Sequence, residues 1–176
     1  MRVLLVDDEA AVRDALAQTL DLAEVAVETT NDLAGALKAV RAEAPGVVIT
    51  DIRMPGGDGF ELLAALQNED SEMPVILLTG HGDVPMAVKA MGAGAYDFLE
   101  KPADPSRLVE IVRRALDKRR LVVENRTLRE KLADLDRGAD ELILGDAPAS
   151  LTYRDRLTAI AGAEADVLVE GETGAG

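Results

Sequence analysis

The sequence predicts an α/β protein built on a doubly wound parallel sheet of five strands. From Met1 to about Leu116, short apolar runs typical of strands buried on both faces alternate with amphipathic stretches typical of helices. Strict alternation of this kind favours parallel strands joined by right-handed helical crossovers, with helices on both faces of the sheet. The strand order expected for such a sheet is the flavodoxin-like order 2-1-3-4-5.

Each predicted element has its own local signal. Three of the strands are largely apolar runs of four residues, and the helices repeat apolar residues at the spacing of one helical face. Either Asn31 or Asp32 can cap the second helix. The predicted strands are residues 3–6, 25–29, 47–50, 75–78 and 96–100, and the predicted helices are residues 10–22, 33–43, 60–67, 85–91 and 106–116.

Polar groups follow four of these strands. Asp7 and Asp8 follow the first strand, Asp51 the third, Thr79 the fourth and Lys101 the fifth. Ligands of an open parallel sheet bind outside the carboxyl ends of its strands, so these side chains should converge on one site. Clustered carboxylates repel one another unless a hard divalent cation lies among them. Magnesium fits better than zinc, because the chain has no cysteine and a single histidine.

These groups suit magnesium-assisted phosphoryl transfer. Asp51 can be the nucleophile on phosphorus and form an acyl phosphate. Lys101 and the metal would neutralise the transferring phosphoryl oxygens, and the Thr79 hydroxyl would donate a hydrogen bond to one of them. Taken alone, Thr79 could simply cap a loop. His81, the only histidine, lies in a predicted turn, where a solvated side chain is more common than a catalytic one.

Four motifs resemble the signatures of the receiver domain of two-component response regulators, in the family's order and at similar spacing. They are Val6-Asp7-Asp8-Glu9, Asp51-Ile52-Arg53-Met54-Pro55-Gly56-Gly57-Asp58-Gly59, Leu78-Thr79-Gly80 and Phe98-Leu99-Glu100-Lys101-Pro102. The resemblance implies that Asp51 takes phosphate from the phosphohistidine of a sensor kinase. It further implies that Mg²⁺ is held by Asp8, Asp51 and the main-chain carbonyl of Arg53, with Asp7 helping directly or through water.

The resemblance also assigns a switch to this site. Thr79 and Phe98 fall at positions where the hydroxyl moves toward the phosphoryl group and the aromatic ring changes rotamer. Many family members have Tyr at the second position, and Phe98 lacks that hydroxyl, so ordinary packing is an alternative role for its ring. A cis peptide bond before Pro102 is implied as well.

The last predicted helix has no stop signal, since residues 107–135 contain neither Gly nor Pro. Leucine and asparagine recur there at alternating intervals of four and three, the heptad pattern, with Leu121, Leu128 and Leu135 at d and Asn125 and Leu132 at a. Asparagine at a is typical of a parallel two-stranded coil. Complementary charges across the pair would be Glu124 with Arg129 and Lys131 with Asp136. We therefore predict a homodimer; the alternative is a single amphipathic helix lying on a neighbouring domain.

The sequence after Gly138 resembles the opening of the AAA+ domain of sigma-54-dependent activators. A predicted strand, residues 166–170, leads into Gly171-Glu172-Thr173-Gly174-Ala175-Gly176, the start of a phosphate-binding loop. We expect Gly171, Gly174 and Gly176 to form a partial nucleotide loop, truncated within the Walker A motif before its lysine and unable to hydrolyse nucleotide.

The whole chain resembles regulators of the NtrC class, most of all the dicarboxylate-transport regulators of the DctD type. The predicted regions are a receiver at 1–117, a coiled-coil dimerisation linker at 118–137 and the start of an AAA+ domain at 138–176. The resemblance implies that the parent protein binds DNA and sigma-54 RNA polymerase. This chain should not bind DNA itself, because its net charge is −14 and only 2% of its residues are aromatic. Without a membrane span or a signal peptide, it is expected in the cytoplasm.

The predicted function is that of a phosphoacceptor and dimerisation module rather than an enzyme, and two alternatives remain open. Aspartate-nucleophile phosphatases also form an aspartyl phosphate, but they usually carry an acidic residue two positions after the nucleophile, where this chain has Arg53. A nucleotide-binding module is suggested by the C-terminal loop but lacks its lysine. Titration with labelled ATP would separate that module from a receiver.

Overall fold

A computed structural model describes residues 1–54, 56–80, 84–141 and 156, with the side chains of the last long helix described to residue 133. The predictions for His81 and for Gly171, Gly174 and Gly176 lie outside the described residues, as do the side chains of Leu135 and Asp136. The chain divides into two units after Asn125, and the first unit, Met1–Asn125, contains the sheet.

The described part of the chain contains seven strands and five helices. The strands are β1 (Val3–Val6), β2 (Val27–Thr30), β3 (Val47–Asp51), β4 (Arg53–Met54), β5 (Gly57–Asp58), β6 (Val75–Thr79) and β7 (Asp97–Glu100). The helices are α1 (Ala10–Leu22), α2 (Leu33–Ala42), α3 (Gly59–Glu69), α4 (Val84–Gly92) and α5 (Pro105–Glu141).

Five of the strands form one parallel sheet in the order β2-β1-β3-β6-β7. This order confirms the predicted doubly wound topology. The remaining two strands, β4 and β5, form a small antiparallel hairpin that the sequence pattern did not predict. Gly56, between them, has φ +84°, a left-handed conformation that glycine adopts without steric cost.

The core lies on both faces of the sheet, because alternate residues of each strand point to opposite sides. On one face, Leu4 and Val6 join buried residues of α2, α3 and α4. On the other face, Val3 and Leu5 join buried residues of α1 and α5. All four residues of β1 are buried, which explains its uninterrupted apolar sequence.

Helix α5 continues without a break to Glu141. The absence of a stop signal predicted its course through residue 135, and the helix extends past the predicted end of the linker at residue 137 and includes Gly138. Its start is capped by Asp104, whose Oδ1 accepts a hydrogen bond from the Arg107 N–H at 2.8 Å. Farther along, Leu121, Leu128 and Leu132 are exposed at 66%, 59% and 62%. Within the part of the chain that the structure describes, no helix combines the length and the apolar character needed to cross a membrane.

Candidate functional site

The carboxyl ends of four parallel strands bring the predicted site residues to one edge of the sheet. Asp7 follows β1, which lies beside β3, and Asp51 is the last residue of β3. Asp51 is paired in register with Leu78, so the end of β6 and Thr79 lie at the same edge. Thr79 is in turn paired with Glu100, which places Lys101 directly beyond it. Parallel pairing therefore gathers residues from distant parts of the sequence.

Lys101 connects the two buried carboxylates. Its Nζ lies 2.7 Å from Oδ2 of Asp7 and 3.0 Å from Oδ2 of Asp51. Glu9 lies at the margin, with Oε1 3.9 Å from the same nitrogen. Burial lowers the pKa of Lys101, but hydrogen bonds and charge from Asp7 and Asp51 outweigh burial and raise that pKa above its ordinary value. The peptide bond from Lys101 to Pro102 is cis, as the resemblance implied.

Asp7, Asp8 and Asp51 form a compact acidic cluster. One carboxylate oxygen from each lies within 4.8 Å of the others, and Asp8 is exposed while the other two are buried. Three oxygen donors with one open side fit a hard cation that retains water ligands, as magnesium does. The Lys101 ammonium compensates only part of the negative charge. The residues present therefore fit the predicted metal, and the role of the Arg53 carbonyl stays a prediction.

The loop after β1 is fixed by bonds to Asp7. The Oδ1 atom of Asp7 accepts a hydrogen bond from the Glu9 N–H at 3.0 Å. Arg13, one turn into α1, donates from Nη1 to the main-chain oxygen of Asp7 at 2.6 Å. Sequence reasoning missed Arg13, because an arginine in an amphipathic helix gives no sign of the carbonyl it will meet. These bonds hold the loop that presents Asp8 at the surface.

The loop after β3 is held closely against the start of α3. Ile52 donates its N–H to the oxygen of Leu78 at 2.9 Å, and Gly59 donates its N–H to the oxygen of Ile52 at 2.9 Å. A side chain at Gly59 would overlap the main-chain oxygen of Asp51. Asp58 caps α3, with Oδ1 accepting from the Glu61 N–H at 2.8 Å. Gly59 belongs to the receiver motif that begins at Asp51, but the motif did not predict its packing role. That role depends on a tertiary contact with the main chain of Asp51.

The two predicted switch residues lie on neighbouring strands. Thr79 ends β6 and is buried, and its main-chain oxygen accepts a hydrogen bond from the Lys101 N–H at 2.7 Å. Phe98, in β7, is half-buried and packs against the core beneath α2, α3 and α4. Their switching role stays a prediction.

Comparison with known proteins identifies the family. Residues 3–113 match the response regulator receiver domain. The chain belongs to this family. The chain is 53% identical to the C4-dicarboxylate transport transcriptional regulatory protein DctD of Pseudomonas aeruginosa over 175 residues. The match covers 99% of this chain and 38% of that relative. The chain therefore covers well under half of that relative.

Solved receiver structures share the fold. The receiver domain of NtrX from Brucella abortus is 39% identical with a TM-score of 0.62, and the match covers 65% of this chain and 98% of that one. The beryllofluoride-activated NtrC4 receiver domain dimer, solved in solution, is 35% identical with a TM-score of 0.64, covering 67% and 98%. These comparisons confirm the predicted fold and place the receiver among response regulators similar to DctD.

Proposed function

We propose that this chain is the phosphoacceptor module of a two-component transcriptional activator, and that Asp51 is its phosphorylation site. The observation that carries the proposal is the position of Lys101 Nζ, 2.7 Å from Asp7 and 3.0 Å from Asp51, within the acidic cluster. A cation held at that point can offset the negative charge of the phosphoryl oxygens while the group is transferred to the Asp51 carboxylate.

The transfer needs few groups. A carboxylate oxygen of Asp51 attacks phosphorus, and the bond from phosphorus to the donor nitrogen of a kinase phosphohistidine breaks, leaving that histidine neutral after protonation. Lys101 stays near the new acyl phosphate and offsets its charge. The Thr79 hydroxyl, at the neighbouring strand end, donates a hydrogen bond to a phosphoryl oxygen. Positioning and charge compensation account for most of the catalysis in such a site.

Asp7, Asp8, Asp51 and the main-chain carbonyl of Arg53 would hold Mg²⁺ in this proposal. The ion would supply positive charge next to the transferring phosphoryl oxygens. Asp8 is suited to bind it directly because it is exposed, whereas buried Asp7 already pairs with Lys101 and can act through water. All donors are oxygen atoms, as magnesium prefers.

The signal would leave the site through Thr79 and Phe98 and reach α5. In our proposal α5 pairs with a second copy through its a and d positions, listed as Leu121, Asn125, Leu128, Leu132 and Leu135. Support comes from the exposure of the three described leucines and from the resemblance to a receiver solved as a dimer. An apolar stripe of this kind is normally covered.

Downstream, the receiver would control an AAA+ ATPase that acts with sigma-54 RNA polymerase in the cytoplasm. The proposal divides the chain into a receiver at 1–117, a coiled-coil linker at 118–137 and the start of the AAA+ domain at 138–176. Its support is the likeness to DctD over 99% of the chain. DNA binding would belong to other parts of the parent protein, since this chain carries a net charge of −14.

Labelling from acetyl phosphate in the presence of Mg²⁺ tests the phosphoacceptor assignment. Asp51→Asn should abolish uptake of the phosphoryl group, because the amide is too poor a nucleophile to replace the carboxylate. Asp14→Asn is the matched control, since Asp14 is an exposed aspartate on α1, and it should take up label like the unmodified chain. Stoichiometric labelling of the Asp51→Asn variant would contradict the assignment.

A further inference from the structure

Arg119 is buried, although it lies in the segment that the sequence predicted as a coiled-coil dimerisation linker. Its side chain is 6% exposed, and its Nη1 lies 2.7 Å from Oδ2 of Asp70. The next residue, Arg120, is 64% exposed, and its Nη2 lies 3.9 Å from Oδ1 of Asp117. Burying a guanidinium is unfavourable unless it is paired, and removing one partner of a buried pair leaves an uncompensated charge. Arg119 and Asp70 are therefore expected to move together.

Asp70 belongs to the far end of α3. Its N–H donates to the oxygen of Leu66 at 2.8 Å, and its Oδ1 accepts from the Glu72 N–H at 3.1 Å. The carboxylate is thus held by the turn that ends the helix. The interior of α3 is anchored by Leu62, Leu63 and Leu66, all of them buried. Because backbone hydrogen bonds keep the turns of a helix in a fixed relation to one another, a movement at its start should displace its end as well.

The start of α3 touches the proposed phosphoacceptor. Gly59 lies against the main-chain oxygen of Asp51 so closely that a Cβ atom would overlap it, and its N–H bonds to Ile52. A continuous set of contacts thus runs from Asp51 through α3 to Asp70, and from there to Arg119 in α5. It does not pass through Thr79 or Phe98.

We propose that the Asp70–Arg119 ion pair is a positioning device that couples α3 to α5, so that a change at Asp51 reaches the long helix by this second route. This inference rests on the proposed function, because it needs a phosphoryl group at Asp51. When the loop after Asp51 changes, α3 moves, and Arg119 follows Asp70 because separation would take the carboxylate away from a buried guanidinium. The protection of the α5 backbone after Arg119 then changes with it.

Hydrogen–deuterium exchange of the full chain, with and without beryllium fluoride and Mg²⁺, tests the coupling. In the unmodified chain the reagent should change exchange both in residues 52–58 and in α5 after Arg119. In Asp70→Asn and in Arg119→Gln, residues 52–58 should keep their response while the response after Arg119 is lost. Without the reagent, amides after Arg119 should exchange about tenfold faster in these variants, because local opening becomes easier. Arg120→Gln, which removes an exposed neighbour, should change neither measurement.

The outcomes separate this inference from the proposed function. A response after Arg119 that persists in both variants would overturn the coupling alone. Loss of the response at residues 52–58 in Asp70→Asn would also overturn it, because the pair would then support the phosphoacceptor site itself. An unmodified chain that shows no response to beryllium fluoride at residues 52–58 would contradict the proposed function, and the coupling with it.

Discussion

Asp8 is the exposed member of a carboxylate cluster whose other two members, Asp7 and Asp51, are buried. Without a metal, its charge repels theirs and opposes folding; with a metal, the same charge binds the ion. Asp8→Asn should therefore weaken Mg²⁺ binding at least about tenfold while raising the free energy of unfolding in EDTA by about 1 kcal/mol. Calorimetric titration and urea unfolding measure the two effects. Unchanged Mg²⁺ affinity would show that the ion is wrongly placed.

Gly59 tests the close packing beneath Asp51. An added methyl group would meet main-chain atoms of Asp51 and Ile52, which cannot rotate away as a side chain can. Gly59→Ala should lower the free energy of unfolding by about 1–3 kcal/mol. Gly92→Ala is the control, because a Cβ atom at Gly92 meets nothing within 4 Å, and it should change stability by less than about 0.5 kcal/mol. Equal effects in urea unfolding would contradict this packing.

At the residue scale, sequence alone predicted the meeting of Asp7, Asp8, Asp51 and Lys101, because parallel strands end at a common edge. It did not predict the contacts of Arg119, since a charged side chain in a helix is normally solvated. The partner of Arg119 lies 49 residues earlier in the numbering, at Asp70, and only tertiary packing brings the two together.

At the scale of elements, hydrophobic periodicity predicted α1 at residues 10–22, where the structure places it. The second strand was predicted at residues 25–29 and lies at Val27–Thr30, because Val25 belongs to the turn after α1, donating its N–H to the oxygen of Leu20. The hairpin of β4 and β5 was missed: two residues per strand carry no periodicity. Its geometry depends on the loop around Gly56 and Gly57, both at positive φ.

The start of α2 resolves the choice between Asn31 and Asp32 as its cap. Asp32 accepts a hydrogen bond from the Gly35 N–H on Oδ1 at 2.6 Å. Asp32→Ala should lower the free energy of unfolding by about 1 kcal/mol, because an N–H in the first turn of α2 loses its partner. Asn31→Ala, the neighbouring exposed residue, should have a smaller effect in the same thermal unfolding measurement. The reverse order would mean that Asn31 is the cap.

For the molecule as a whole, we predict a dimer formed through α5. Replacing Leu121 and Leu128 by Gln should yield a monomer with an intact receiver, because the d positions lose their apolar contact. Leu22→Gln is the matched control, since Leu22 is 79% exposed on α1 and outside the stripe. Light scattering measures the outcome. An unmodified chain that stays monomeric at every accessible concentration would contradict the coiled coil.

We propose that the strand ends of this receiver form one phosphoacceptor site with Asp51 as its nucleophile. Reductive trapping tests this proposal: the chain is incubated with acetyl phosphate and Mg²⁺, treated with borohydride, digested and sequenced by mass spectrometry. Borohydride reduces an acyl phosphate on aspartate to homoserine and so marks the modified residue. We expect homoserine at position 51 alone. Homoserine at Asp7 or Asp8, or none at position 51 in a labelled chain, would contradict it.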